Sequence, residues 1–303
     1  MKTLVTGANG FVGRPTAQAL VERGHELLAP ASRHSDPTNG LDLLDAEAVE
    51  TYLRHHQPEG LIHLVWDTTL GTYWETPANL TWTAASLRLL EAFSRHGGKR
   101  AVIAGTSAEY SWEFTEPLCE TTSLLEPDSL YGVSKDSLRR ILEAWAPGAG
   151  LSLAWGRIFC PYGPFEKKAR LIPKLISKLE SGDSLPFDSG ALVRDFLHVD
   201  ELGSAFATLF DSGFEGAVNL ASGEDLTIRE VLTQLGQSLG RTDQIQFDQL
   251  PNPEGQPPRV VASTERLQTA IGWAPSKSNK ERLEETCLWW RDHLTADHSN
   301  GTL

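Results

Sequence analysis

Two residues four apart carry the most pointed chemistry in this chain. Tyr131 and Lys135, in Leu130-Tyr131-Gly132-Val133-Ser134-Lys135, share one face of any helix that opens there. A phenol with a pKa near ~10 is a poor acid–base group at neutral pH. A nearby ammonium stabilises its phenolate, and a bound cationic nicotinamide would add to that effect. Upstream, Gly105-Thr106-Ser107-Ala108-Glu109-Tyr110 offers the Thr106 hydroxyl, placed to hold a substrate oxygen that gains or loses the proton. Taken alone, the pair also reads as a core tyrosine beside a solvated lysine.

A second constellation sits near the start. Lys2-Thr3-Leu4-Val5-Thr6 reads as a short buried strand, and Gly7-x-x-Gly10-x-x-Gly13 follows it. The amphipathic run from Thr16 to Arg23 then reads as a helix ended by Gly24. Strand, glycine turn and helix bring backbone N–H groups and a helix N-terminus against a diphosphate. Without that flanking context three glycines would mark only a turn.

Stepping outward, these residues need a sheet to position them. His25 to Pro30 reads as a second strand, Leu61-Ile62-His63-Leu64-Val65 as a third and Ala101-Val102-Ile103-Ala104 as the next. Gly40 to Leu43 leads into one helix, Leu87 to Phe93 ends another, and a third runs from Leu130 to about Trp145. This alternation predicts a parallel, doubly wound sheet with right-handed crossovers. Thr106 then falls at the carboxyl end of a strand, where such sheets bind ligands. The end of the second strand offers Ser32 and Arg33 in place of an acid that would hold the adenine ribose. A guanidinium there pairs with a 2′-phosphate, which favours NADP, with NAD as the alternative.

The composition excludes several other classes. At 303 residues, 40% hydrophobic and 22% charged, the chain has the make-up of a globular enzyme. A formal net charge of −13 argues against nucleic acid as a partner. No apolar run approaches the roughly 18 residues that span a bilayer, and no secretory signal stands out, so the expectation is a cytoplasmic protein. Cys119, Cys160 and Cys287 have neither metal-ligand spacing nor an even count, so no metal and no disulfide framework are expected.

Together, the glycine triplet, Thr106 in Thr-x-x-x-Tyr and Tyr131-x-x-x-Lys135 resemble the extended short-chain dehydrogenase/reductase family, in its sugar-nucleotide epimerase, dehydratase and reductase branch. Arg157-Ile158-Phe159-Cys160-Pro161-Tyr162-Gly163-Pro164, Leu171-Ile172-Pro173 and Arg194-Asp195-Phe196-Leu197-His198-Val199-Asp200 extend the match. It runs on through Leu267–Pro275 to the Trp289-Trp290 helix. The resemblance implies an α/β protein: a Rossmann-type doubly wound parallel sheet with a smaller mixed α/β C-terminal substrate domain. Residues 1–163 and 194–222 would bind NAD(P), 164–193 and 223–293 the sugar nucleotide, and 294–303 would form a disordered tail. It implies Thr106, Tyr131 and Lys135 as the catalytic set. Gly7, Gly10, Phe11, Val12, Gly13, Asp42, Leu43 and Leu64 would surround the cofactor, joined by Ser32, Arg33, Tyr131 and Lys135. Thr106, Cys160, Leu171 and Arg194 would meet the substrate, Arg194 at its diphosphate. A homodimer through the helices of residues 79–94 and 131–145 is also implied.

Departures from the family pattern narrow the reaction. Dehydrating relatives carry Asp-Glu after the threonine, where this chain has Ser107 and Ala108. Relatives that epimerise at C3 and C5 carry Cys and His where this chain has Ala108 and Arg170. What remains needs one hydride and one proton relay. The expectation is an NADPH-dependent 4-keto-6-deoxyhexose reductase acting on a nucleoside-diphosphate sugar. The alternative is an NAD-retaining nucleotide-sugar 4-epimerase; a redox sensor without turnover would have no need of the proton relay. Cys160 in place of the usual Asn, and the bulky Trp66 and Trp82, predict a reshaped pocket. His198 reads as structural, and most of Lys167, Lys168, Lys174 and Lys178 as a solvated helix face.

Overall fold

The computed structural model describes residues 1–32, 40–113 and 116–299, with side chains through residue 294 in the last helix. The chain alternates β1 (Lys2–Thr6), α1 (Gly13–Glu22), β2 (Glu26–Leu28), α2 (Ala46–His56), β3 (Gly60–His63), α3 (Ala78–Arg95) and β4 (Arg100–Thr106). A single turn at Ser107–Glu109 follows, then α4 (Leu130–Trp145), β5 (Ser152–Ile158), β6 (Cys160–Tyr162), α5 (Leu171–Glu180), β7 (Leu185–Pro186) and β8 (Val193–Arg194). The remainder is β9 (Phe196–His198), α6 (Val199–Asp211), β10 (Gly216–Leu220), β11 (Leu226–Thr227) and α7 (Ile228–Leu239). Then come β12 (Ile245–Gln246), β13 (Arg259–Val260), α8 (Glu265–Thr269) and α9 (Asn279–Ser299).

Six strands form one all-parallel sheet in the order β10-β5-β4-β3-β1-β2. Strand side chains alternate faces, so each strand feeds two cores. Val5, Ile62, Val102 and Ala154 pack with Leu20 of α1 and Phe206 of α6. Leu4, Leu61, Ile103 and Trp155 pack on the other side with Leu53 of α2, Phe93 of α3 and Leu138 of α4. This is the doubly wound Rossmann-type sheet that the alternation predicts. At the edge of the first core, buried Arg100 donates to the carbonyls of Leu209, Phe210 and Phe214, satisfying acceptors at the end of α6.

A third core lies toward the C-terminus, where Ile176 of α5, Val231 of α7 and Trp290 of α9 meet with Tyr162 and Phe196. Thr227 caps α7 through a reciprocal pair with Glu230, as its sequence position suggests. Fully buried Asp195 accepts from the N–H groups of Ser222, Gly223 and Ala262 and from the Ser222 hydroxyl, tying β8 and β9 to both neighbouring segments.

Several boundaries differ from the sequence reading. α1 begins at Gly13 rather than Thr16. β3 stops at His63, leaving Leu64 and Val65 just beyond it. The expected tail at 294–303 overlaps α9, which runs to Ser299 because Leu294 packs on the third core and carries the helix onward.

Candidate active site

The reversal of strand order beside β1 opens a cleft of about 630 Å³ at the carboxyl ends of β1, β2 and β3. It is lined by Gly7, Asn9 and Gly10, by Pro30, Ala31 and Ser32, by Leu41 to Leu44, and by Val65 and Trp82. Gly7 has φ +78°, and a Cβ on Gly13 would come within 1.9 Å of its carbonyl oxygen. Only bare backbone permits that turn against the first residue of α1. Val12, the N-cap of α1, makes no side-chain cap hydrogen bond, so the helix presents its N–H groups to an incoming anion. A dinucleotide diphosphate fits this cradle. Phe11, Val12 and Leu64 are half-buried and are not among the residues lining the cleft; Val12 and Leu64 pack on the first core. Asp42 and Leu43 line the cleft as expected, with Asp42 Oδ1 accepting from the Leu44 N–H. Asp42 is the one acid among the described lining residues. Arg33 lies outside the described residues.

Thr106 ends β4, and Tyr131 opens α4 after the Ser129 side chain caps the helix by accepting from the Gly132 N–H. A Cβ on Gly132 would stand 2.3 Å from the Ala108 carbonyl oxygen, so glycine alone lets α4 close onto the turn after β4. That approach brings the Tyr131 phenol beside the Thr106 hydroxyl. Burial raises the phenol above its ordinary range, and the Thr106 contact works against the rise. The contacts that Lys135 makes are with groups other than this phenol. Lys135 is 4% exposed, its Nζ donates to the Ala104 carbonyl at 2.9 Å, and it lies 3.8 Å from the centre of the Trp66 ring. Burial lowers it to about 7, against an upward pull from Glu109.

The segment after β3 was not legible as part of the site. Tyr73 and Trp74 meet the Tyr131 ring edge-on at 5.2 and 5.7 Å, and Trp66 does so at 6.3 Å. The Trp74 carbonyl accepts the Tyr131 N–H. One buried side chain fastens this segment. Asn79 Oδ1 accepts from Trp66 Nε1 at 2.8 Å, and its Nδ2 donates to the carbonyls of Tyr73 and Thr76. The only sequence signal was the size of Trp66; nothing in the spacing points to Tyr73 or Trp74.

On the substrate side, Cys160 sits in β6 with its thiol pushed up to about 12 by burial, amid the charges of Arg194, Asp195, Glu166 and Arg170. Arg194 donates to the carbonyls of Val193 and Pro257. Leu171 is exposed at the first position of α5. Arg170 lies over the Tyr73 ring at 5.5 Å and reaches the Thr68 carbonyl, which links this region to the aromatic segment. Burial raises Glu166 to about 8, and its buried Oε2 has no hydrogen-bond partner. His198 caps α6 by accepting the Asp200 N–H through Nδ1.

A Rossmann-type sheet, a glycine cradle at its switch point and a Thr–Tyr–Lys group on β4 and α4 define an extended short-chain dehydrogenase/reductase. The chain belongs to the NAD dependent epimerase/dehydratase family, whose pattern it matches over residues 3–221. It is 27% identical to a UDP-glucose 4-epimerase of Corynebacterium glutamicum, over 99% of this chain and 98% of that one. It is 26% identical to a dTDP-glucose 4,6-dehydratase of Mycobacterium tuberculosis, over 97% and 94%. Among solved structures, the UDP-glucose 4-epimerase of Thermotoga maritima with UDP-glucose superimposes at a TM-score of 0.87. That match is 24% identical and covers 97% of this chain and 100% of that one. The protein is therefore an NAD(P)-dependent enzyme of the sugar-nucleotide epimerase, dehydratase and reductase type.

Proposed function

We propose that the protein transfers a hydride at C4 of a nucleoside-diphosphate sugar with a single proton relay, as an NADPH-dependent 4-keto-6-deoxyhexose reductase. The observation that carries this is the buried Tyr131 phenol against Thr106. Burial holds the phenol protonated at neutral pH, the state a proton donor needs. A bound nicotinamide supplies the hydride when the 4-keto group is reduced. Tyr131 gives its proton to the sugar oxygen, its O–H bond breaking as the new one forms. Thr106 donates a hydrogen bond to the same oxygen, and the Lys135 ammonium stabilises the phenolate left behind. Ser107 and Ala108 supply no acid–base pair for elimination, which argues against dehydration.

Pro30, Ala31 and Ser32 supply no carboxylate to the cleft at the end of β2, which supports NADP. Arg33 remains the proposed partner of its 2′-phosphate. Arg194, Cys160 and Leu171 are proposed to receive the sugar nucleotide. Leu80 of α3 and Val133 and Ile141 of α4 are exposed, which supports a homodimer through these helices. The relatives named above favour a second reading, a nucleotide-sugar 4-epimerase that retains NAD.

Mass spectrometry of nicotinamide released on denaturation, followed by NADPH and NADH titration, separates the two. An empty site that prefers NADPH is the outcome for a reductase; NAD held at near-unit occupancy would establish the epimerase instead. In either case Tyr131→Phe should lose turnover by about 10²–10⁴-fold while still binding cofactor. Undiminished turnover would remove Tyr131 from the chemistry.

A further inference from the structure

Lys135 is a buried cation whose apparent counter-ion is already committed. Glu109 is fully buried, and its Oε1 accepts from the Thr106 N–H at 2.9 Å and from Trp155 Nε1 at 2.8 Å. Its Oε2 accepts from Arg157 Nε at 2.7 Å, a full positive charge in direct contact. What touches the ammonium itself is the Ala104 carbonyl and the face of Trp66. An ammonium over an indole is held by the ring's negative face, and the attraction grows when water is excluded. The indole is in turn fixed, because its Nε1 is bound to buried Asn79. The other titratable groups facing Lys135 are His63 of β3, Glu109 of the turn after β4, and Tyr131 on its own helix. His63 is buried and drawn down to about 3, first by burial and then by the charge of Lys135.

We propose that Trp66 is a positioning residue for Lys135, its indole face keeping the ammonium charged and pointed at the end of β4. This rests on the reading of Lys135 as part of the active site, and it goes further in naming what maintains its charge. Trp66 thus reaches the chemistry through Lys135.

The test is a direct titration of Lys135 in the full chain. Protein labelled with ¹³C at lysine Cε is followed by NMR between about pH 5 and about pH 10, a range that brackets the ordinary lysine value and a lowered one. The Lys135 signal is identified by its loss in Lys135→Met. Trp66→Leu should move the Lys135 midpoint to lower pH by about one unit, and Trp66→Phe, which keeps a weaker aromatic face, by less. Trp66→Phe carries the test alone if Trp66→Leu does not fold. A midpoint unchanged or moved to higher pH in the folded variants overturns the proposal. If the midpoint shifts as expected but Lys135→Met turns over normally, Trp66 does position the lysine, and the catalytic reading of Lys135 is what fails.

Discussion

Thr106 takes part in the candidate site through two atoms, its hydroxyl oxygen and its backbone nitrogen. Its hydroxyl meets the Tyr131 phenol and accepts the Ala108 N–H, and its backbone N–H donates to Glu109. Thr106→Val should cut kcat by about 10²-fold or more with little change in melting temperature, and Thr106→Ser should recover most of it. Steady-state kinetics beside a thermal melt checks both. Glu109 answers to stability instead. Glu109→Ala would leave Arg157 buried without its partner, and a urea titration should show a loss of about 3–5 kcal/mol. Residue type and spacing exposed Thr106, Tyr131 and Lys135, since a helical i, i+4 pair declares itself along the chain. The structural role of Glu109 did not declare itself, because its partners Trp155 and Arg157 arrive on β5, 46 and 48 residues later.

Whole elements bring these groups together, and the junction of α4 with the turn after β4 is a tight one. Gly132→Ala would push a methyl against the Ala108 carbonyl and displace the first turn of α4, which carries Tyr131. The expected cost is about 1–3 kcal/mol in chemical denaturation. A turnover loss of about 10²-fold should accompany it, because proton transfer tolerates little misplacement. The span of α4, Leu130–Trp145, was readable from its amphipathic pattern, and the strands from short apolar runs. The segment between β3 and α3 was not. It has no helical or strand period, and a side chain–backbone network on Asn79 fixes its course. Such a network leaves no repeating trace in sequence.

At the scale of the whole molecule, two buried neutral histidines contribute to the response to acid. His63 is bonded to Thr6 and Ser86, and His198 caps α6 with its buried Nε2 unpartnered. Burial lowers them to about 3 and about 4. Both lie below the unfolded value of ~6.5, so the unfolded chain binds protons first as pH falls. Their stabilising contribution is complete above pH ~6.5 and declines toward the folded values, by up to about 1.4 kcal/mol per pH unit for each. Glu166, raised to about 8, and Asp195, raised to about 6, act with the opposite sign, so His198 is read by difference: from about pH 6.5 to about pH 4.5 the melting temperature of the parent should fall relative to that of His198→Asn, which keeps a capping side chain. A difference between the two proteins that stays constant with pH would contradict this. The architecture was legible because a parallel sheet buried on both faces writes itself as apolar runs between helices. The protonation of these histidines was not, since it depends on which neighbours the fold assembles around each ring.

The fastening of Trp66, Tyr73 and Thr76 to the Asn79 carboxamide has a consequence for how such an enzyme changes over time. The proposed reacting groups ride on β4 and α4, while Tyr73 and Trp74 ride on a connection that Asn79 helps to fasten. Replacements in that connection can redraw the wall beside Tyr131 without rebuilding the scaffold that carries Thr106, Tyr131 and Lys135. Substrate range is then free to drift under mutation while the proposed proton relay is inherited intact, with Trp66 tying the connection to Lys135 and Tyr73 and Trp74 tying it to Tyr131.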